Sequence, residues 1–131
     1  MTILQIKSSL FSNGGQSSQL ADEYVARRRA ADPVSHVIVR DLAAEAVPHL
    51  TAERFQSFLA KPEARSAGQQ AVIDDSDTLI AELRAADTIV LGLPMYNFGI
   101  PSTLKAYFEN SRTCKPSSPA FSLKMRITSS A

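Results

Sequence analysis

The stretch from Thr88 to Phe108, TIVLGLPMYNFGIPSTLKAYF, constrains this chain more than any other. Ile89, Val90 and Leu91 form an apolar run of strand type. Gly92 and Pro94 break it and expose a loop, Met95-Tyr96-Asn97-Phe98-Gly99. The pattern resumes as a helix with Pro101 near its first turn and Leu104, Tyr107 and Phe108 as its apolar set. A strand that ends in such a loop and feeds a helix is where open α/β sheets bind ligands.

The preceding chain reads as the other wall of the same site. Ile3, Leu4 and Ile6 predict a short strand, followed by the Ser-, Asn- and Gly-rich run Ser8 to Ser18. Leu20, Tyr24 and Val25 then recur at helical spacing, in a helix that ends around Ala31 to Pro33. Val37, Ile38 and Val39 predict a second buried strand. No hairpin signal joins the two strands and a helix lies between them, so the pair is expected to be parallel. Residues 42 to 48 read as a loop or a short turn of helix, Thr51 as the cap of a helix through Phe55, Phe58 and Leu59, and Lys61-Pro62 as its break. A further helix is expected from about Gln69 to Ala85, with Val72, Ile73, Leu79, Ile80 and Leu83 as its buried stripe. This order predicts an α/β domain with a parallel sheet and helices on both faces.

Composition narrows the partners. A length of 131 residues allows one domain, and 44% hydrophobic residues with a mean hydropathy of −0.07 allow a real core. The net charge of +1 gives no electrostatic reason to expect nucleic acid or an anionic membrane. Arg27, Arg28 and Arg29 lie in the first helix and read as a solvated face. The one cysteine, Cys114, offers neither an internal disulfide nor a CxxC site, which suits a reducing cytosol. MTILQIKSS lacks the layout of a signal peptide, and no apolar run approaches the roughly 20 residues that span a bilayer. The expected location is therefore cytoplasmic. Asp74, Asp75 and Asp77 read either as a solvated helix face or as a divalent-cation site without EF-hand spacing, and no metal is assigned to them. His36 and His49 read as structural or surface residues.

Two loops carry the chemistry. Ser8 to Ser18 offers hydroxyls, an amide and two glycines before a helix whose first turn holds no carboxylate, the arrangement of a phosphate site. Neither a Walker motif nor GxGxxG is present, and a Ser-rich loop with an N-cap serine remains the other reading. Pro94 to Phe98 offers backbone groups, two aromatics and an amide that suit a planar heterocycle. The competing reading there is a plain connection with an aromatic plug.

KSSLFSNGGQSSQLADEYV and LPMYNFGIPSTLKAYFE, with VIVRDLAAEAVPHL and DTLIAELRAADTIV between them, resemble the flavin-dependent NADH-azoreductases, a branch of the flavodoxin-like quinone reductases. The likeness runs from Met1 to about Glu109. It implies a flavodoxin-like three-layer sandwich with strand order 2-1-3-4-5 and flavin mononucleotide (FMN) at the carboxyl ends of the strands. Carried over by motif, Ser9, Gly15, Gln16 and Ser17 fall on the phosphate side, with Gly15 standing where members usually have serine. Met95, Tyr96, Asn97 and Phe98 fall beside the isoalloxazine ring. The resemblance also implies a homodimer that passes two electrons from NADH to quinones or aromatic azo compounds. The flavin carries the hydride chemistry, so no side chain is assigned as catalytic.

After Glu109 the resemblance stops, and residues 110 to 131 form a Ser-rich run without glycine or acidic residues. The domain is expected to occupy residues 1–109 with strands 2-1-3, strands 4 and 5 missing, and 110–131 as a disordered tail, with a terminal helix or strand around Phe121 to Ile127 as the lesser reading. Strand three then becomes a sheet edge. Marginal stability, weak or no flavin binding and aggregation are expected, and a non-catalytic remnant or weak flavin-binding module is the alternative function. A break inside a helix points to a frame shift or a mis-joined gene end. Translating the other two frames downstream of codon 109 is expected to restore family-like sequence, and if neither does the explanation fails.

Overall fold

The computed structural model describes residues 1–111 and, as a strand, residues 125–130. The elements in chain order are β1 (Thr2–Lys7), α1 (Gln16–Ala31), β2 (His36–Asp41), α2 (Ala52–Leu59), α3 (Ala67–Ala85), β3 (Thr88–Pro94), α4 (Ser102–Ser111) and β4 (Met125–Ser130). Single 3-10 turns at Ser12–Gly14 and Pro62–Ala64 complete the set. The strands form one parallel sheet in the order β2-β1-β3-β4. The expected order 2-1-3 is therefore present.

Side chains alternate across the sheet, as strand geometry requires. Leu4, Ile6, Ile89 and Leu91 join Leu42, Leu79, Leu104 and Tyr107 in the larger core, beneath α3 and α4. Ile3 and Val90 face the other way and pack with Ala21 and Val25 of α1. Register aligns these rows, with Leu4 opposite both Ile38 and Ile89, and Ile6 opposite Leu91. The result is the three-layer α/β/α sandwich.

Three expectations need correction. β3 is not an edge, because Met125–Ser130 pairs with it in parallel. An unpaired strand edge is a template for any extended segment, and Ile127 and Thr128 are of the β-branched type that suits one. The disordered-tail expectation thus does not hold for 125–130, nor for Asn110 and Ser111, which continue α4. Residues 112–124 and 131, including Cys114, lie outside the described residues. Second, β2 is only half-buried, with Val39 54% exposed, because it is itself an outer strand. Third, the buried line of α3 centres on Ser76 and Leu79, while Val72, Ile73, Ile80 and Leu83 are half-buried.

The caps of the two central helices follow from sequence. Thr51 Oγ1 accepts from Arg54 N at 3.2 Å, and Ser66 forms a reciprocal capping box with Gln69. Asn110 joins four segments at the far end of α4. Its Oδ1 accepts from both Nε and Nη2 of Arg54, its Nδ2 donates to Pro48 O and Ala106 O, and its carbonyl accepts from Ser76 Oγ. Nearby, Arg40 makes a two-nitrogen contact to Glu82 and a third bond to Glu45. Burial works against the Arg40 charge, but its hydrogen bond and proximity to Glu82 outweigh this and hold the guanidinium above its ordinary value.

Tyr107 is fully buried, and its hydroxyl has no hydrogen-bond partner among the described residues. Burial pushes the phenol far above its ordinary 10.0, with Glu82 adding to the shift and Arg40 opposing it. The unfolded chain releases this proton near pH 10 while the folded chain keeps it, so Tyr107 weakens the fold only as pH rises past about 10. Tyr107→Phe removes an unpartnered hydroxyl and is expected to cost nothing or to stabilise by about 1 kcal/mol at pH 7. It should also flatten the loss of stability between pH 10 and 11, as read by chemical unfolding at each pH.

Candidate functional site

The carboxyl ends of β1 and β3 meet the start of α1. Ser8 donates to Gly92 O from both its backbone N, at 3.2 Å, and its Oγ, at 2.7 Å. Gly92 leaves room for the helix, since a Cβ there would stand 3.1 Å from Ser17 O and 3.5 Å from Ala21 Cβ. The first turn of α1 therefore lies directly on the end of β3.

Between β1 and α1 the chain turns tightly. Ser9 O accepts from Ser12 N, Ser9 Oγ from Phe11 N, and Phe11 O from Gly14 N. Ser12 takes a left-handed φ of 49°. Gly15, not a serine, is the N-cap of α1; no side chain caps the helix and no acidic residue lies in its first turn. The N-cap-serine reading fails because the helix starts at Gln16, which places Ser17 and Ser18 inside the first turn. Both are buried, and neither hydroxyl has a hydrogen-bond partner among the described residues. Buried polar groups are nearly always satisfied, so two orphaned hydroxyls at an uncapped helix N-terminus suit an external anion.

The loop after β3 is equally specific. Tyr96 and Gly99 exchange backbone hydrogen bonds of 3.1 and 3.0 Å around Asn97 and Phe98, whose φ values are 50° and 59°. Positive φ is uncommon for asparagine and rare for phenylalanine, and such strain gathers where a side chain must be presented. Phe98 is 97% exposed and Met95 about half exposed, so neither is an aromatic or apolar plug. Tyr96 Oη accepts from Leu10 N at 3.1 Å and ties this loop to the first one.

The structure thus brings together the residues expected at the site. Ser9, Gly15, Gln16 and Ser17 stand on one loop and helix start, and Met95, Tyr96, Asn97 and Phe98 on the other. Ser8 and Ser18 stand in the quoted segments with no individual role assigned from sequence, and Gly92 reads there only as a strand breaker. Lys7 was missed as well. Its signal is period two, since it shares a face with Ile3 and Gln5 at the end of a buried strand. Asp74, Asp75 and Asp77 are exposed on α3, and Asp74 accepts from Gln70 Nε2. His36 and His49 are also exposed. A separate cleft of about 250 Å³, lined by Arg40, Arg54, Asp75, Ser76 and Asn110 among others, lies towards the carboxyl end of α4, away from these loops. Among the described residues no helix is long and apolar enough to cross a membrane.

Fold and site together define an open α/β protein with a ligand crevice at its strand ends, and a family model described as the flavodoxin-like fold matches residues 1–113. The chain belongs to that family. It is 59% identical over 109 residues to an FMN-dependent NADH:quinone oxidoreductase of Cellvibrio japonicus (strain Ueda107), covering 83% of this chain and 55% of that one. The FMN-dependent NADH:quinone oxidoreductase 6 of Burkholderia lata is 51% identical over 108 residues, covering 82% and 54%. The chain spans about half the length of these curated relatives. The crystal structure of an azoreductase from Bacillus anthracis str. Sterne matches in fold with a TM-score of 0.83 at 18% identity, covering 98% of this chain and 68% of that one.

Gly15 has a steric role that its ordinary φ of −78° hides. A Cβ there would overlap Ser9 Oγ and lie 2.7 Å from Ser9 Cβ. Gly15→Ala is expected to destabilise the chain by about 1–3 kcal/mol through overpacking. Adding Ser9→Gly should recover most of that loss in denaturant unfolding, and an unchanged loss would place the strain elsewhere.

Proposed function

We propose that this chain binds FMN and belongs to an NADH-dependent oxidoreductase that passes two electrons to quinones and reductively cleaves the azo bonds of aromatic azo compounds. The observation that carries the reading is the pairing of two loops at one crevice. One has an uncapped, acid-free helix start with orphaned Ser17 and Ser18 hydroxyls, and the other presents Met95 to Phe98. The similarity to the Cellvibrio japonicus and Burkholderia lata proteins supports it.

The donor set suits the cofactor. Ser9, Gln16 and Ser17, with the backbone of Gly15, would hold the phosphate, and the helix dipole favours the same charge. Met95, Tyr96, Asn97 and Phe98 would flank the ring, the apolar members excluding water and Asn97 offering an amide to its polar edge. When bound, FMN supplies the two-electron acceptance and donation, so this chain's residues need only bind and orient. Residues 1–109 are taken as the flavin-binding unit. The exposed Leu10, Phe11, Met95 and Phe98 beside the crevice support a homodimer that covers it. The single cysteine fits a reducing, cytoplasmic setting.

Titrating the purified chain into FMN is expected to quench flavin fluorescence saturably at one flavin per chain. NADH should then be oxidised when a quinone is added. Quenching without NADH oxidation would leave a flavin-binding module, and absence of quenching would overturn the reading.

A further inference from the structure

Lys7 ends β1 and is almost fully buried, with a side chain 8% exposed. A lysine is rarely found there unless its ammonium is paired. Here Nζ lies 2.7 Å from Asp22 Oδ1 and donates to Asn13 Oδ1, also at 2.7 Å. Gln5 Nε2 donates to the same Asp22 oxygen. Asn13 is the middle residue of the 3-10 turn Ser12–Gly14, the turn that holds the left-handed Ser12 and delivers Gly15 to the helix. Among the described residues no other hydrogen bond ties that turn to the sheet.

We propose that Lys7 is a positioning residue of the anion-binding loop, acting through Asn13 to hold the Ser12–Gly14 turn against the sheet while neutralising Asp22. The two effects point the same way. Strained backbone persists only where its surroundings over-determine it, and the Lys7–Asn13 bond supplies a charge-assisted anchor. Asp22 is the acidic residue of α1 nearest its N-terminus, roughly 9 Å along the axis from Gln16. Its carboxylate would oppose a bound anion, and pairing with Lys7 removes that opposition. The ammonium is thus used within the protein and is not offered to the ligand.

The inference rests on the phosphate-loop reading above, and two measurements separate the failure of either. In the ligand-free chain, hydrogen exchange at the Ser12, Gly14 and Gly15 amides is expected to rise about tenfold in Lys7→Met, the scale of one lost charge-assisted bond, with β3 amides unchanged. Equal exchange in both proteins would overturn the proposal whether or not flavin binds. In flavin titrations, Lys7→Met should weaken FMN about tenfold and riboflavin, which lacks the phosphate, less than twofold. Equal weakening of both would mean a merely structural role and would also overturn it. Asn13→Ala, at an exposed position, should reproduce the faster exchange and part of the selective FMN weakening, because it leaves the Lys7–Asp22 pair in place. The double variant should lose no more than Lys7→Met alone, because Asn13 acts through its bond to Lys7. Additive losses would refute the coupling. Should Lys7→Met not fold, Asn13→Ala carries the exchange and flavin tests alone. If neither FMN nor riboflavin binds the unsubstituted chain, the functional reading falls and the exchange result still decides the role of Lys7.

Discussion

The structure depends on the close contact between Gly92 of β3, Ser8 just after β1 and Ser17 of α1. A side chain at Gly92 would press on the Ser17 carbonyl, so the helix start would have to shift by a few tenths of an ångström. The doubled bond from Ser8 to Gly92 O locks the two strand ends in register. Because α1 begins on β3, not beyond it, the free N–H groups of its first turn open at the sheet's carboxyl edge. Two loops far apart in sequence then share one crevice, and the Tyr96–Leu10 bond closes the link between them.

The polar residues divide into those spent on structure and those left over. Asn110 uses both its amide groups and its carbonyl, joining α2, α3, α4 and the loop before α2. Arg40 is spent on Glu82 and Glu45. Ser17 and Ser18 are buried and unspent. The Met95–Phe98 loop likewise stores left-handed backbone at Asn97 and Phe98 while leaving Phe98 almost wholly exposed. Unsatisfied groups and strain thus gather at the two loops of the crevice, with Arg65 Nε and the Tyr107 hydroxyl, deep in the core, as exceptions among the described residues.

The fourth strand alters the stability argument. β3 is paired on both sides from Ile89 to Gly92, and the outer strands are β2 and β4. The strand that carries the ligand loop is therefore central. β2 accepts the outer position with a half-exposed face, and its Arg40 and Asp41 place charge on that edge.

Local pattern alone determined the strands at Ile3–Ile6, Val37–Val39 and Ile89–Leu91, the helices between them, the Thr51 cap and both ligand loops. Each rests on periodicity or on a cap within a few residues, so it is legible from the chain. Resemblance supplied the expected site residues, because contacts to a flavin have no local signature. Tertiary structure decided the rest. That Gly15 caps α1, that Gly15 cannot bear a Cβ beside Ser9, and that β2 is an outer strand all depend on what packs against them. The pairing of Met125–Ser130 with β3 depends on an open edge more than 30 residues earlier in the chain. Lys7 shows the same limit, since its sequence neighbours mark only a strand end. The contact with Asn13 and Asp22 exists because the fold returns α1 across the same face of the sheet.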